Sequence, residues 1–150
     1  MAEAIDLFHE QVNGWLTALN GGATGPEGFL DEKGTAVITR EDGESLILRL
    51  ANDMLGFYVL LFEVPEEKAH EFFQVALTFN LYPALVGTGN LGYDEATRAL
   101  TFSAQMPTDL MDEDLFGRMV NSVFSTAADV RDQFFTMAGI APQEAAQVAV

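Results

Sequence analysis

The apolar positions of this chain follow two different periods, and the switches between them mark its elements. In residues 2–20, Ile5, Phe8, Val12, Trp15, Leu16 and Leu19 recur at helical spacing, while Leu7 points away from that stripe. Spacing of three and four predicts an amphipathic helix. Asn20-Gly21-Gly22 stops it, because a left-handed residue closes a helix at low cost. The segment to Gly28 is loop-like. The period then becomes two. A first strand covers 35–40, and the pattern allows a start as early as Phe29. Glu41–Glu44 forms a turn around Gly43. In the second strand, 45–51, Leu46, Leu48 and Leu50 alternate with Ser45, Ile47 and Arg49. Asn52-Asp53 turns the chain again. The third strand, 55–64, is apolar on both faces: Tyr58, Leu60 and Phe62 on one, Phe57, Val59 and Leu61 on the other.

Pro65 then opens a helix that runs to about Asn80. Proline at the first position, with Glu66 and Glu67 near the positive helix end, is a start signal. Phe72, Phe73 and Ala76 share one side of this helix. Val75 and Phe79 extend the apolar surface one way and Leu77 the other. A surface helix shows a stripe, and this one shows a sleeve. After Pro83 the pattern predicts a loop, then strands at 90–94 and 99–106 around a polar turn at Glu95–Arg98. Asp112-Glu113-Asp114 starts the last helix, whose buried stripe is Phe116, Met119, Val120, Val123, Ala127, Val130 and Phe134. Gly139 ends it, and 139–150 read as a loosely ordered tail.

The order is α-β-β-β-α-β-β-α. Hairpin-length connections favour antiparallel pairing. The expected architecture is α+β: one domain over 1–138, with helices packed on a twisted antiparallel five-stranded sheet.

Composition narrows the function. The 150 residues include 23 acidic and 7 basic side chains, a net charge of −16. The basic residues are scattered, whereas phosphate neutralisation needs them clustered, so nucleic acid is not an expected partner. Anionic membrane surfaces are disfavoured for the same reason. No apolar run is long enough to span a bilayer, and the N-terminus lacks the marks of a signal peptide. With no cysteine, thiolate metal sites, cysteine nucleophiles and disulfides are excluded. Acidity favours solubility and basic partners. A cytoplasmic protein is expected.

Candidate chemistry is sparse. Gly87-Thr88-Gly89-Asn90-Leu91-Gly92 matches a dinucleotide fingerprint, but it follows a helix and opens a strand, the reverse of what phosphate binding at a helix N-terminus requires. It reads as loop punctuation. His9 and His70 neighbour Glu10 and Glu71, yet adjacent helix positions do not face each other. The acids at 109–114 lack a calcium-loop pattern. No catalytic residue, cofactor or metal site is expected.

What remains is the apolar surplus at 55–82. Burying one large apolar side chain is worth about 1.5–3 kcal/mol, so leaving several wet would forgo a large part of a domain's stability. A symmetric contact through the middle helix would cover Phe72, Val75, Leu77, Phe79 and Leu81. The surplus strand face, with Leu7, Phe29, Val37, Ile47, Phe57, Val59 and Leu61, would receive a partner chain.

This pattern resembles the CesT-type (Tir chaperone-like) family of type III secretion chaperones over about residues 3–137. The likeness is carried by Phe29-Leu30-Asp31-Glu32-Lys33-Gly34 between helix and strand, by Val64-Pro65 before the middle helix, and by Gly89-Asn90-Leu91-Gly92-Tyr93-Asp94 before a strand with Leu100 and Phe102. An acidic start to a long final helix completes it. The resemblance implies a bacterial cytoplasmic homodimer that holds the N-terminal segment of a secreted effector extended, without ATP. It implies a dimer through the middle helix and cargo on the sheet and first helix. The same fold also resembles YbjN-like proteins, which would make the chain a regulatory or sensory protein-binding module.

Overall fold

The computed structural model describes residues 2–19 and 30–138, with side chains from Leu7 onward. The elements are α1 (Ala2–Leu19), β1 (Thr35–Thr39), β2 (Ser45–Ala51), β3 (Met54–Glu63), α2 (Ala69–Phe79), α3 (Pro83–Val86), β4 (Asn90–Asp94), β5 (Ala99–Pro107) and α4 (Glu113–Met137). The strands form one five-stranded sheet in the order β1-β2-β3-β5-β4, in which β1 pairs with β2, β2 with β3 and β4 with β5 antiparallel. The fold is the α+β class that the alternation of periods predicts.

Three boundaries differ from those expectations. Leu30–Gly34 form no strand. The Asp31 side chain accepts hydrogen bonds from the backbone N–H groups of Lys33 (2.8 Å) and Thr35 (3.0 Å), and its carbonyl accepts that of Gly34. This side-chain turn outcompetes extension. The middle helix begins as a 3₁₀ turn, Glu66–Lys68, before α2 proper. The expected loop after Pro83 contains α3, which Pro83 starts and Gly87, at φ 60°, ends.

The chain divides into two compact units, each discontinuous in sequence. The first comprises residues 1–58 and 105–123, the second residues 59–104 and 124–150.

In the first unit, Val12 and Leu16 of α1 are fully buried. Leu46, Leu48 and Leu50 of β2 point inward, as do Leu55 and Phe57 of β3 and Ala36 and Ile38 of β1. Phe116 of α4 stands 5.6 Å from the Trp15 ring and 6.0 Å from Phe57. Entry into β1 requires glycine at 34. Its φ is +80°, and a β-carbon there would sit 2.5 Å from the carbonyl oxygen of Leu50. The acids ahead of α4 act as read from the sequence: Asp112 Oδ1 accepts the Leu115 N–H at 2.8 Å, capping the helix.

The core of the second unit is aromatic. The Phe62 ring lies 5.7 Å from Phe72, 5.1 Å from Phe134 and 4.7 Å from Phe135, and Phe79 lies 5.6 Å from Phe134. Along β3, Leu61 and Phe62 are both buried in succession, which breaks strict alternation. At that point Arg131 of α4 donates from Nε to the Leu61 carbonyl (3.0 Å) and from an Nη to that of Leu60 (3.4 Å). Gly89, in the rejected fingerprint, is a close-approach position, since a β-carbon there would meet Phe102 and the Ser103 carbonyl at 2.5 Å.

Candidate functional site

The residues expected to contact partners fall into two groups once placed. In the first unit, Leu7 and Val37 are exposed (56% and 47%) and Ile47 is half-buried. Antiparallel register sets Val37 opposite Ile47 and Ile47 opposite Tyr58, so these three form one row across β1, β2 and β3 on the outer face. Thr39 and Ser45 share a hydroxyl hydrogen bond of 3.1 Å beside the row. Phe57 belongs to the opposite face: it pairs with Leu48 and is fully buried. It is therefore not available to a partner chain. Val59 and Leu61, in the second unit, are also buried. Equal apolarity on both faces of β3 concealed which face points inward, and the accessible apolar positions are Met54, Tyr58 and Leu60. Phe29 lies outside the described residues.

The edge of β1 supplies backbone groups as well. The Leu50 N–H donates to the Gly34 carbonyl and the Arg40 N–H to that of Glu44. In an antiparallel ladder this phase turns Ala36 and Ile38 toward β2, and Thr35, Val37 and Thr39 outward. Asp31 answers both outward groups of Thr35, since its own N–H donates to the Thr35 carbonyl at 2.8 Å. Among the described residues nothing pairs with the outward groups of Val37 and Thr39. The Thr35 N–H, helped by the Lys33 N–H and the Lys33 charge, holds the Asp31 carboxyl below the usual aspartate range.

In the second unit, α2 turns Phe72, Ala76 and Phe79 into the aromatic core. Phe72 and Phe79, expected at a subunit contact, are 1% and 0% exposed, so they belong to the protomer's own interior. Val75 is half-buried. Leu77 (68% exposed), Leu81 (75%) and the unforeseen Tyr82 form the apolar surface of the helix and its exit turn. Tyr82 was legible only as an aromatic ahead of Pro83. Phe73 is occupied differently, edge-on to Tyr93 of β4 at 5.0 Å.

The first unit also holds a cleft of about 450 Å³ between α1 and α4, floored by Trp15, Leu19, Phe116 and Gly117. Asp114 and Arg118 pair at 2.9 Å on its rim. Among the described residues, no three histidine or acidic side chains gather to hold a metal ion, and no helix is long and apolar enough to cross a membrane.

The sequence profile of the Tir chaperone protein (CesT) family matches residues 26–131, so the chain belongs to that family. Solved structures share its fold. The structure of the HopA1-SchA chaperone-effector complex includes a chain of TM-score 0.61 and 19% identity, covering 84% of this chain and 94% of that one. A chain of the ExsC-ExsE complex superposes with TM-score 0.60 at 21% identity, over 84% of this chain and 90% of its own. A chain of the heterodimeric ExoU-SpcU complex, from the type III secretion system of Pseudomonas aeruginosa, gives 0.60 at 18% identity, over 81% and 95%. No curated protein matches the chain by sequence.

Proposed function

We propose that this protein is a type III secretion chaperone that binds an extended segment of an effector without catalysis or ATP. The observation that carries this is the open edge of β1, where the outward backbone groups of Val37 and Thr39 adjoin the apolar row Val37, Ile47 and Tyr58. An extended chain can add there as a strand, its backbone giving affinity and its alternate side chains meeting the row. Family membership and the chaperone-effector complexes among its structural neighbours support the same reading. Leu7 adds apolar surface on α1. The charge of −16 keeps a complex with an unfolded segment soluble and suits a cytoplasmic carrier of basic cargo.

The working form is a homodimer. Leu77, Leu81 and Tyr82 are the surface that a second copy would cover, with Val75 at its margin. Fully burying one such side chain is worth about 1.5–3 kcal/mol, so a symmetric contact counts each of them twice.

Val37→Pro tests the cargo site. Proline at an edge position removes only an outward N–H and leaves the ladder to β2 intact. Co-expression with candidate effectors encoded nearby should yield a co-purifying complex with the parent chain and a much weaker one with the variant. Equal recovery with both would move the cargo away from β1, and no complex with any candidate would remove the chaperone reading.

A further inference from the structure

Gly117 is the least expected residue in the cleft between α1 and α4. Glycine in a helix interior is less stable than alanine, and it is usually kept where a neighbour leaves no room. Here a β-carbon would meet nothing within 4 Å, so packing among the described residues does not require the glycine. Its missing side chain instead deepens the cleft, whose floor it shares with Trp15 and Phe116.

The charged groups around the cleft are unequally engaged. Asp114 and Arg118 neutralise each other at 2.9 Å. At the far end Arg40 donates to Asn121 Oδ1 at 3.2 Å, two turns or about 12 Å along the helix from Glu113. Glu113 lines the cleft and is exposed, and among the described residues its carboxylate forms no ion pair. Phe116 follows it by one turn and stands 5.6 Å from the Trp15 ring. One end of the cleft therefore joins an aromatic wall to an unpaired carboxylate, in a chain of net charge −16.

An arginine side chain matches each of these features. Its apolar stem fits along Gly117 and Leu19. Its planar guanidinium stacks on an aromatic ring and meets a carboxylate through two parallel N–H donors. Lysine brings the charge without the plane. An acidic side chain would face Glu113 with like charge, while Arg118 is already engaged. We propose that the cleft between α1 and α4 is a subsite for an arginine side chain of an extended partner chain, with Trp15 as the stacking surface and Glu113 as the counter-charge. That this partner is an effector rests on the chaperone reading above, whereas occupancy of the cleft by arginine is tested without any effector.

Trp15 is the only tryptophan of the sequence, so its fluorescence reports on the cleft. The full chain is titrated with the peptide acetyl-Ser-Gly-Arg-Gly-Ser-amide and with its citrulline counterpart, which keeps the shape and loses the charge. The arginine peptide should shift the Trp15 emission saturably. The citrulline peptide should bind about tenfold more weakly, for the loss of a charge-assisted contact. Glu113→Gln should weaken the arginine peptide by the same factor and leave the citrulline peptide unchanged. Gly117→Leu should abolish binding of both, with urea unfolding at least as late as the parent's, because the new side chain enters open space and leucine favours a helix. No emission change at millimolar peptide would overturn the proposal, as would equal binding of the two peptides or undiminished binding to Gly117→Leu. Binding of the arginine peptide with no co-purifying effector would count against the chaperone reading alone.

Discussion

The ring of Tyr58 lies back along its own strand over Gly56, so closely that a β-carbon at 56 would stand 2.6 Å from its hydroxyl. Gln105 donates to that hydroxyl at 3.4 Å. The outer face of β3 is thus finished by one residue folded over another with no side chain. Gly56→Ala should displace the Tyr58 ring, which is the far end of a movable side chain, at a cost of roughly 1 kcal/mol. Gly34→Ala should cost clearly more, because the obstacle is the Leu50 backbone and φ is positive. Urea unfolding of both variants checks the ranking, and equal losses would contradict it.

The α2 surface separates assembly from folding. Leu77→Asp and Leu81→Asp should lower the mass in light scattering and leave the unfolding midpoint of the isolated protomer nearly unchanged, since both side chains are exposed there. Phe79→Ala should instead destabilise the fold by about 3–5 kcal/mol, as expected for a buried phenylalanine. A parent that is monomeric at micromolar concentration would remove the dimer.

Asp31 should titrate below its usual value of 3.8, because backbone N–H groups favour the charged form. Its folded pKa is the lower one, so the stabilisation is present above the unfolded value and is lost as pH falls through the folded value. The β1 entry turn should therefore loosen only in acid, below the ordinary aspartate range. Carboxyl NMR titration reads this directly, and a normal midpoint for Asp31 would refute the turn. Asp31→Ala should abolish the acid-dependent step in the exchange of the Thr35 amide.

The Thr108 hydroxyl is buried with no hydrogen-bond partner among the described residues. Thr108→Val replaces it with a methyl of similar size and should stabilise the protein by about 1 kcal/mol, the cost of an unmet buried hydroxyl. Loss of stability in thermal unfolding would mean that the hydroxyl is satisfied by water.

Two segments illustrate how far the sequence reaches. The strand at 45–51 is legible because Leu46, Leu48 and Leu50 face a core while Arg49 cannot, and the structure places its ends at the same residues. The strand at 54–63 is legible as a strand only. Phe57 and Tyr58 are equally suited to either face, and their assignment waits on the register that sets Ile47 against Tyr58 and Leu48 against Phe57. The sleeve of α2 has the same cause: Phe72 and Phe79 go inward because Phe62 and Phe134 are there to meet them, and Leu77 is left out.

Local pattern by itself determined the five strands, the three long helices and their order, the antiparallel class, the family resemblance and the acidity, because period, turn chemistry and charge are properties of neighbouring residues. Only the tertiary structure decided which apolar residues stay on the surface and which of them stand together there. Those outcomes depend on partners far apart in the chain. Val37 and Ile47 are legible as surface candidates, but their alignment with Tyr58, like the pairing of Asn80 with Leu91, exists only once folding brings distant segments together.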